Sequence, residues 1–105
     1  MVDQQTAVNI VKGLSKDILS LGIHLRRVVL FGSYAKNIAA EHSDIDVLLV
    51  ADEFTGIGFE DIGLFTTVLR KLNNIHLKTL NPADILDGDP IVAEILKSGI
   101  DINLS

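Results

Sequence analysis

Apolar residues recur at helical spacing through the start of this chain. Ala7, Ile10, Val11, Leu14, Ile18 and Leu21 fall on one face of a helix over about residues 3–21. Gly22 follows as a C-terminal stop. The pattern then shortens. Residues 26–31 read as a strand with the buried run Val28-Val29-Leu30, and residues 33–40 read as a short helix. Residues 44–50 form a second strand, acidic at its head and apolar from there on, as an interior strand covered on both faces would be. Residues 51–58 read as a loop carrying Gly56 and Gly58. A second long helix is predicted over residues 59–72, with Ile62, Phe65, Leu69 and Leu72 on one face. Residues 75–80 give a third strand. Pro82 opens a short turn or helix, and Pro90 opens a helix running to about residue 97, each proline at the favoured first position. Gly99 ends that helix, and residues 100–104 read as a short edge strand. This alternation predicts one α/β or α+β domain over residues 1–105, with helices packed on a small mixed sheet.

Composition narrows the picture. Hydrophobic residues make up 48% of the chain and aromatics only 5%, so the core must be built from Leu, Ile and Val. A formal net charge of -5 argues against non-specific binding to nucleic acid. It leaves room for a nucleotide carried by a cation, which supplies positive charge locally. There is no cysteine, so disulfides and thiolate metal sites are excluded and a reducing cytoplasm is compatible. No apolar run approaches the ~20 residues that span a bilayer, and no basic-then-apolar leader is visible. The expectation is a cytoplasmic protein with no membrane association.

Two short segments carry the candidate chemistry. Leu30-Phe31-Gly32-Ser33-Tyr34-Ala35-Lys36 places a glycine and a serine where a strand stops and a helix starts. Glycine lets backbone approach a phosphate, and the N–H groups of a helix start can serve its oxygens. An ordinary strand-to-helix turn with Ser33 as cap would look the same. Ser43-Asp44-Ile45-Asp46-Val47 heads the second strand. Alternate strand residues share a face, so the Cα atoms of Asp44 and Asp46 lie roughly 6.5 Å apart. Two carboxylates held side by side repel unless a cation lies between them, and a divalent metal carrying nucleotide phosphates would fill that role. The plain alternative is a solvated acidic strand end.

The turn, the spacer and the Asp-x-Asp strand together resemble the signature of polymerase-β-type nucleotidyltransferases. The short length is similar to the minimal branch, small prokaryotic proteins often paired with a helical HEPN partner. The resemblance is dense over residues 28–50. It continues in Phe54-Thr55-Gly56, Phe59-Glu60-Asp61 and the closing Asp89-Pro90-Ile91-Val92, Glu94-Ile95-Leu96 and Gly99-Ile100. It implies a polymerase-β-like fold and transfer of a nucleoside monophosphate, AMP from ATP or another NTP, to a hydroxyl with pyrophosphate released. It implies Mg²⁺ (or Mn²⁺) on Asp44 and Asp46, and phosphate contacts from Gly32 and Ser33. Ser43 either caps its loop or touches phosphate, while Lys36 either contacts phosphate or is a solvated helix residue. His42 is expected to be exposed.

The chain departs from the family pattern in two places. Members often carry arginine where Tyr34 stands and a basic-Gly pair where Lys36-Asn37 stands. Active members also usually carry a third acid on a later strand, and alignment through Asn81-Pro82-Ala83-Asp84 puts His76 there. His76 could be the base, since imidazole titrates near neutral pH. It could ligate metal, it could mark a site reduced to binding, or it could simply pack beside the sheet. Asp84 and Asp87 are poor substitutes, being past the strand. Arg70 and Lys71 suit the C-terminal dipole of the second long helix. Phe54, Ile57 and Phe59 are expected to close over the core. Larger relatives hold the acceptor in an extra domain, so the resemblance implies delivery by a partner, with a HEPN-type protein as target and this chain as antitoxin. The alternative is a non-catalytic module that neutralises its partner by binding; self-association is left open.

Overall fold

The computed structural model describes residues 3–40, 42–70 and 72–104, the side chains at positions 86 and 87 excepted. Helix α1 (Gln4–Ser20) starts where Asp3 accepts the Thr6 N–H at 2.7 Å, a local N-cap. Its Ala7, Val11, Leu14 and Ile18 are buried, as the helical spacing requires. Strand β1 (Leu25–Phe31) pairs antiparallel with β2 (Ile45–Ala51), and β3 (Ile75–Leu80) adds parallel to β2. The two-residue β4 (Ile100–Asp101) flanks β1, giving the order β3-β2-β1-β4. β2 is therefore interior, and its run Val47 to Ala51 is buried throughout.

The sheet has two unlike faces. One carries Val28, Leu30, Ile45, Val47 and Leu49 against α1, Phe54 and Phe65. The other carries Val29, Leu48, Val50 and Leu80 against Val92 and Ile95 of α5 (Pro90–Ser98). Gly99 lets the end of that helix approach β1, since a Cβ there would strike the Val29 side chain and the Ile95 carbonyl. α5 is short, so the row at the open end of this second face is left partly uncovered. Among the described residues, no helix is long and apolar enough to cross a membrane.

Three expected elements come out differently. The helix over residues 33–40 is a single turn, α2 (Gly32–Ala35), ended by Asn37 in the left-handed region at φ 58°. Lys36 is therefore the cap residue rather than part of a helix face. The long helix over residues 59–72 is broken into α3 (Gly58–Ile62), a 3₁₀ turn (Gly63–Phe65) and α4 (Thr66–Leu69). Gly63 and the β-branched Thr66, Thr67 and Val68 are weak helix formers. The Thr66 hydroxyl also donates to the carbonyls of Ile62 and Gly63, at 3.2 and 3.4 Å. The apolar face survives the break: Phe65 is buried and stacks against Phe54 with centroids 5.9 Å apart. The edge strand occupies two of the five residues expected. Pro82 opens a 3₁₀ segment (Pro82–Asp87) and Pro90 opens α5, each behind an Asx cap. Lys71 and the side chain of Asp87 lie outside the described residues.

Candidate functional site

Sheet register brings three residues into one row across the uncovered end. Phe31 of β1 pairs with Asp46 of β2, which pairs with His76 of β3. Side chains at paired positions share a face. The Asp46 carboxylate reaches His76 directly, with Oδ1 to Nδ1 at 2.9 Å. The Asp46 side chain is 23% exposed and the His76 side chain 68%, so this is a rim of the sheet open to solvent.

The other carboxylate oxygen, Asp46 Oδ2, faces Gly32. Gly32 sits at φ 72°, and a Cβ there would overlap Oδ2 and lie 3.0 Å from Cγ. Glycine is thus required twice, by the backbone angle and by the carboxylate packed on its Cα. The space a Cβ would take at Gly32 is filled by Asp46, so the backbone N–H groups of the turn, rather than that space, are what it offers a phosphate. The Gly-Ser turn and the second aspartate are in direct contact, with His76 on the far side of the same carboxylate.

The remaining sequence candidates scatter around this centre. Asp44 is exposed, one residue before β2, and shares the parity of Asp46. Among the described residues, no group of three His, Asp or Glu side chains is close enough to hold a metal ion. Asp44 is therefore not gathered into a cluster with Asp46 and His76. Ser33 lies half-buried in α2. Ser43 Oγ accepts the Ala40 N–H at 2.8 Å, the loop-capping role. Lys36 is exposed and borders a cleft of about 390 Å³ with Phe31, Gly32, Ile91 and Glu94. Tyr34, standing at the family's arginine position, is buried in the α1 core at 3% exposure and offers no cation. His42 is exposed. Asp84 Oδ2 accepts the Asn81 N–H at 2.9 Å in a capping box, so it does not replace the third acid. Of the expected apolar cover, Phe54 is buried, but Ile57 and Phe59 are exposed at 46% and 81%. Only the first of the three closes over the core.

Two supporting residues escaped the sequence reading. Gln4 Nε2 donates to the carbonyls of Tyr34 and Ala35, at 3.0 and 3.1 Å, and so ties the start of α1 to the end of α2. Asp61 is buried at 1% exposure and accepts four bonds. These come from the Thr55 N–H (2.8 Å) and hydroxyl (3.1 Å), the Gly56 N–H (3.0 Å) and the Thr79 hydroxyl (2.7 Å). Burial pushes the Asp61 carboxyl up, but these four donors outweigh it and hold it below the usual carboxylate range. The network pins the 55–57 loop to β3 beside the row that ends in His76. The family resemblance touches Thr55-Gly56 and Asp61 as separate segments, but Thr79 comes from β3, so the bonds that join them are set only by the fold.

The fold and the arrangement at the strand ends define a class. Residues 11–102 match the sequence profile of the nucleotidyltransferase domain, and the chain belongs to that family. A crystal structure from Sulfolobus solfataricus, provisionally named a nucleotidyltransferase, has the same fold with a TM-score of 0.69 and 19% identity. The match covers 93% of this chain and 80% of that one. A protein from Methanocaldococcus jannaschii, provisionally named a protein adenylyltransferase, is 47% identical over 47 residues. That stretch covers 44% of this chain, which thus matches about half of the relative's own length, 48%.

Proposed function

We propose that this protein transfers a nucleoside monophosphate, AMP from ATP, to a hydroxyl on a partner protein. Family membership supports the reaction class, and the name of the Methanocaldococcus relative supports a protein acceptor. The observation that carries the proposal is the Asp46 carboxylate, which touches Gly32 with one oxygen and His76 with the other.

Asp44 and Asp46 fit a divalent ion of the Mg²⁺ kind. Such an ion keeps several waters and binds through one or two carboxylates plus the substrate's phosphates, so it needs no third protein ligand. Bound there, it would neutralise triphosphate charge and polarise the α-phosphate. The rest falls to this chain's own groups. Gly32, Ser33 and Lys36 hold the phosphates at the β1 end of the row. His76 donates from Nδ1 to Asp46 Oδ1, which fixes its tautomer and leaves the Nε2 lone pair exposed. Nε2 takes the proton of the acceptor hydroxyl. The acceptor oxygen bonds to the α-phosphorus, the bond to the bridging oxygen breaks, and pyrophosphate leaves with the electron pair. His76 thus does the work of the absent third acid. The reading extends to a HEPN-type helical protein as partner, silenced by the modification.

The test is pyrophosphate release in ATP and Mg²⁺ with the co-purified partner present. His76→Gln should lower the rate by roughly 10²–10⁴, the usual worth of a general base. An undiminished rate would remove His76 from the chemistry. A second reading, a binding module that neutralises by occlusion, is favoured by the lack of any three-acid group among the described residues. It predicts no release from the parent and a large gain in His76→Asp.

A further inference from the structure

Beyond His76 the sheet face continues into a cleft of about 380 Å³, lined by Phe31, Gly56, His76, Lys78, Thr79 and Ile91 among others. Lys78 pairs with Leu48, one step along the face from the Asp46–His76 pair. We propose that this cleft receives the acceptor, and that Lys78 selects an acceptor carrying a carboxylate close to its hydroxyl. The proposal rests on the nucleotidyl-transfer reading for the reaction, but not for the cleft's binding preference.

Three observations carry it. The first is direction. In an in-line displacement the attacking and leaving oxygens lie on opposite sides of the phosphorus. With the phosphates at Gly32, just past the end of β1, the acceptor must approach from the β3 side, where this cleft opens. The second is charge. Lys78 is half-buried, and its ammonium makes no hydrogen bond or ion pair with any described residue. Two acids, Asp84 and Asp89, border the adjoining hollow with it. Neither forms an ion pair with Lys78, and each spends one oxygen on a local N–H: Asp84 Oδ2 on that of Asn81 (2.9 Å), Asp89 Oδ1 on that of Ile91 (2.8 Å). Thr79, the neighbouring hydroxyl, is spent on Asp61 at 2.7 Å. The third is surroundings. Phe31, Ile91 and Ile95 make the walls largely apolar, which strengthens the attraction of an unpaired ammonium for an anion. A lysine is a point charge that meets a carboxylate or a phosphate alike; with the phosphates held at Gly32, the anion left for Lys78 is the acceptor's carboxylate.

Two probes differing only in charge test the idea: 4-hydroxyphenylacetate and its neutral amide, titrated into the isotope-labelled protein without nucleotide. The acid should bind about tenfold more tightly than the amide and should shift the amide signals of Gly56, Gly58 and Thr79. Lys78→Met should erase that preference with its melting temperature unchanged, and Lys78→Arg should retain it. Equal binding of the two probes, a preference that persists in Lys78→Met, or no shift in the cleft would each overturn the proposal. Failure of the catalytic reading is seen separately, as no heat of ATP binding in Mg²⁺.

Discussion

Replacing Gly32 with alanine should damage the protein through two effects that add. At φ 72° an L-residue is in the left-handed region, which costs about 1–2 kcal/mol. The new Cβ also overlaps Asp46 Oδ2, with Cγ at 3.0 Å. The carboxylate must therefore swing off Gly32 and release His76, a loss of about 0.5–1 kcal/mol for a solvent-facing bond. The sum is about 2 kcal/mol, equivalent to a fall in melting temperature of roughly 10 °C for a domain of this size. Gly13→Ala is the matched control. It lies inside α1, and its added Cβ meets nothing within 4 Å, so it should stabilise by about 0.5–1 kcal/mol. The assay is thermal unfolding by circular dichroism, with the His76 ring signals followed by NMR. If Gly32→Ala melted within about 3 °C of the parent and left the His76 signals in place, the contact between the turn and the carboxylate would not exist.

Other expectations follow from the same geometry. Asp61→Asn sets an amide donor against N–H and hydroxyl donors, and should destabilise by about 2–4 kcal/mol in urea titrations. Because the folded Asp61 carboxyl is held below its unfolded value, its contribution is fully present above pH 4 or so and is lost as pH falls through the folded value. The gap between parent and Asp61→Asn should therefore shrink in acid, and a gap that widened would contradict the assignment. Gln4→Leu removes both bonds to α2; a several-fold weaker ATP affinity with little change in melting temperature is expected by calorimetry. Asp44→Asn should abolish Mg²⁺-dependent ATP binding in the same titration, and unchanged affinity would take Asp44 out of the site.

What the sequence determined by itself is local. Asp3, Asn81 and Asp89 start helical segments because each side chain bonds an N–H two or three residues on. The apolar stripe of α1 and the unbroken run of β2 are readable because their periods, 3.6 and 2, repeat within one element. The Gly-Ser turn and the Asp-x-Asp strand head were visible for the same reason. The break at residues 63–66 was also local, but the long apolar stripe masked it: a glycine and three β-branched residues proved stronger than the spacing. Tertiary structure alone decided the rest. That Asp46 fills the space over Gly32, and that its other oxygen meets a histidine thirty positions away, depends on the parallel register of β2 with β3. Register is set by burying two sheet faces at once, and no window of neighbouring residues contains that information. Lys78 and the Thr79 hydroxyl on Asp61 belong to the same category: in sequence they are ordinary polar residues, and only the packing of β3 gives them neighbours.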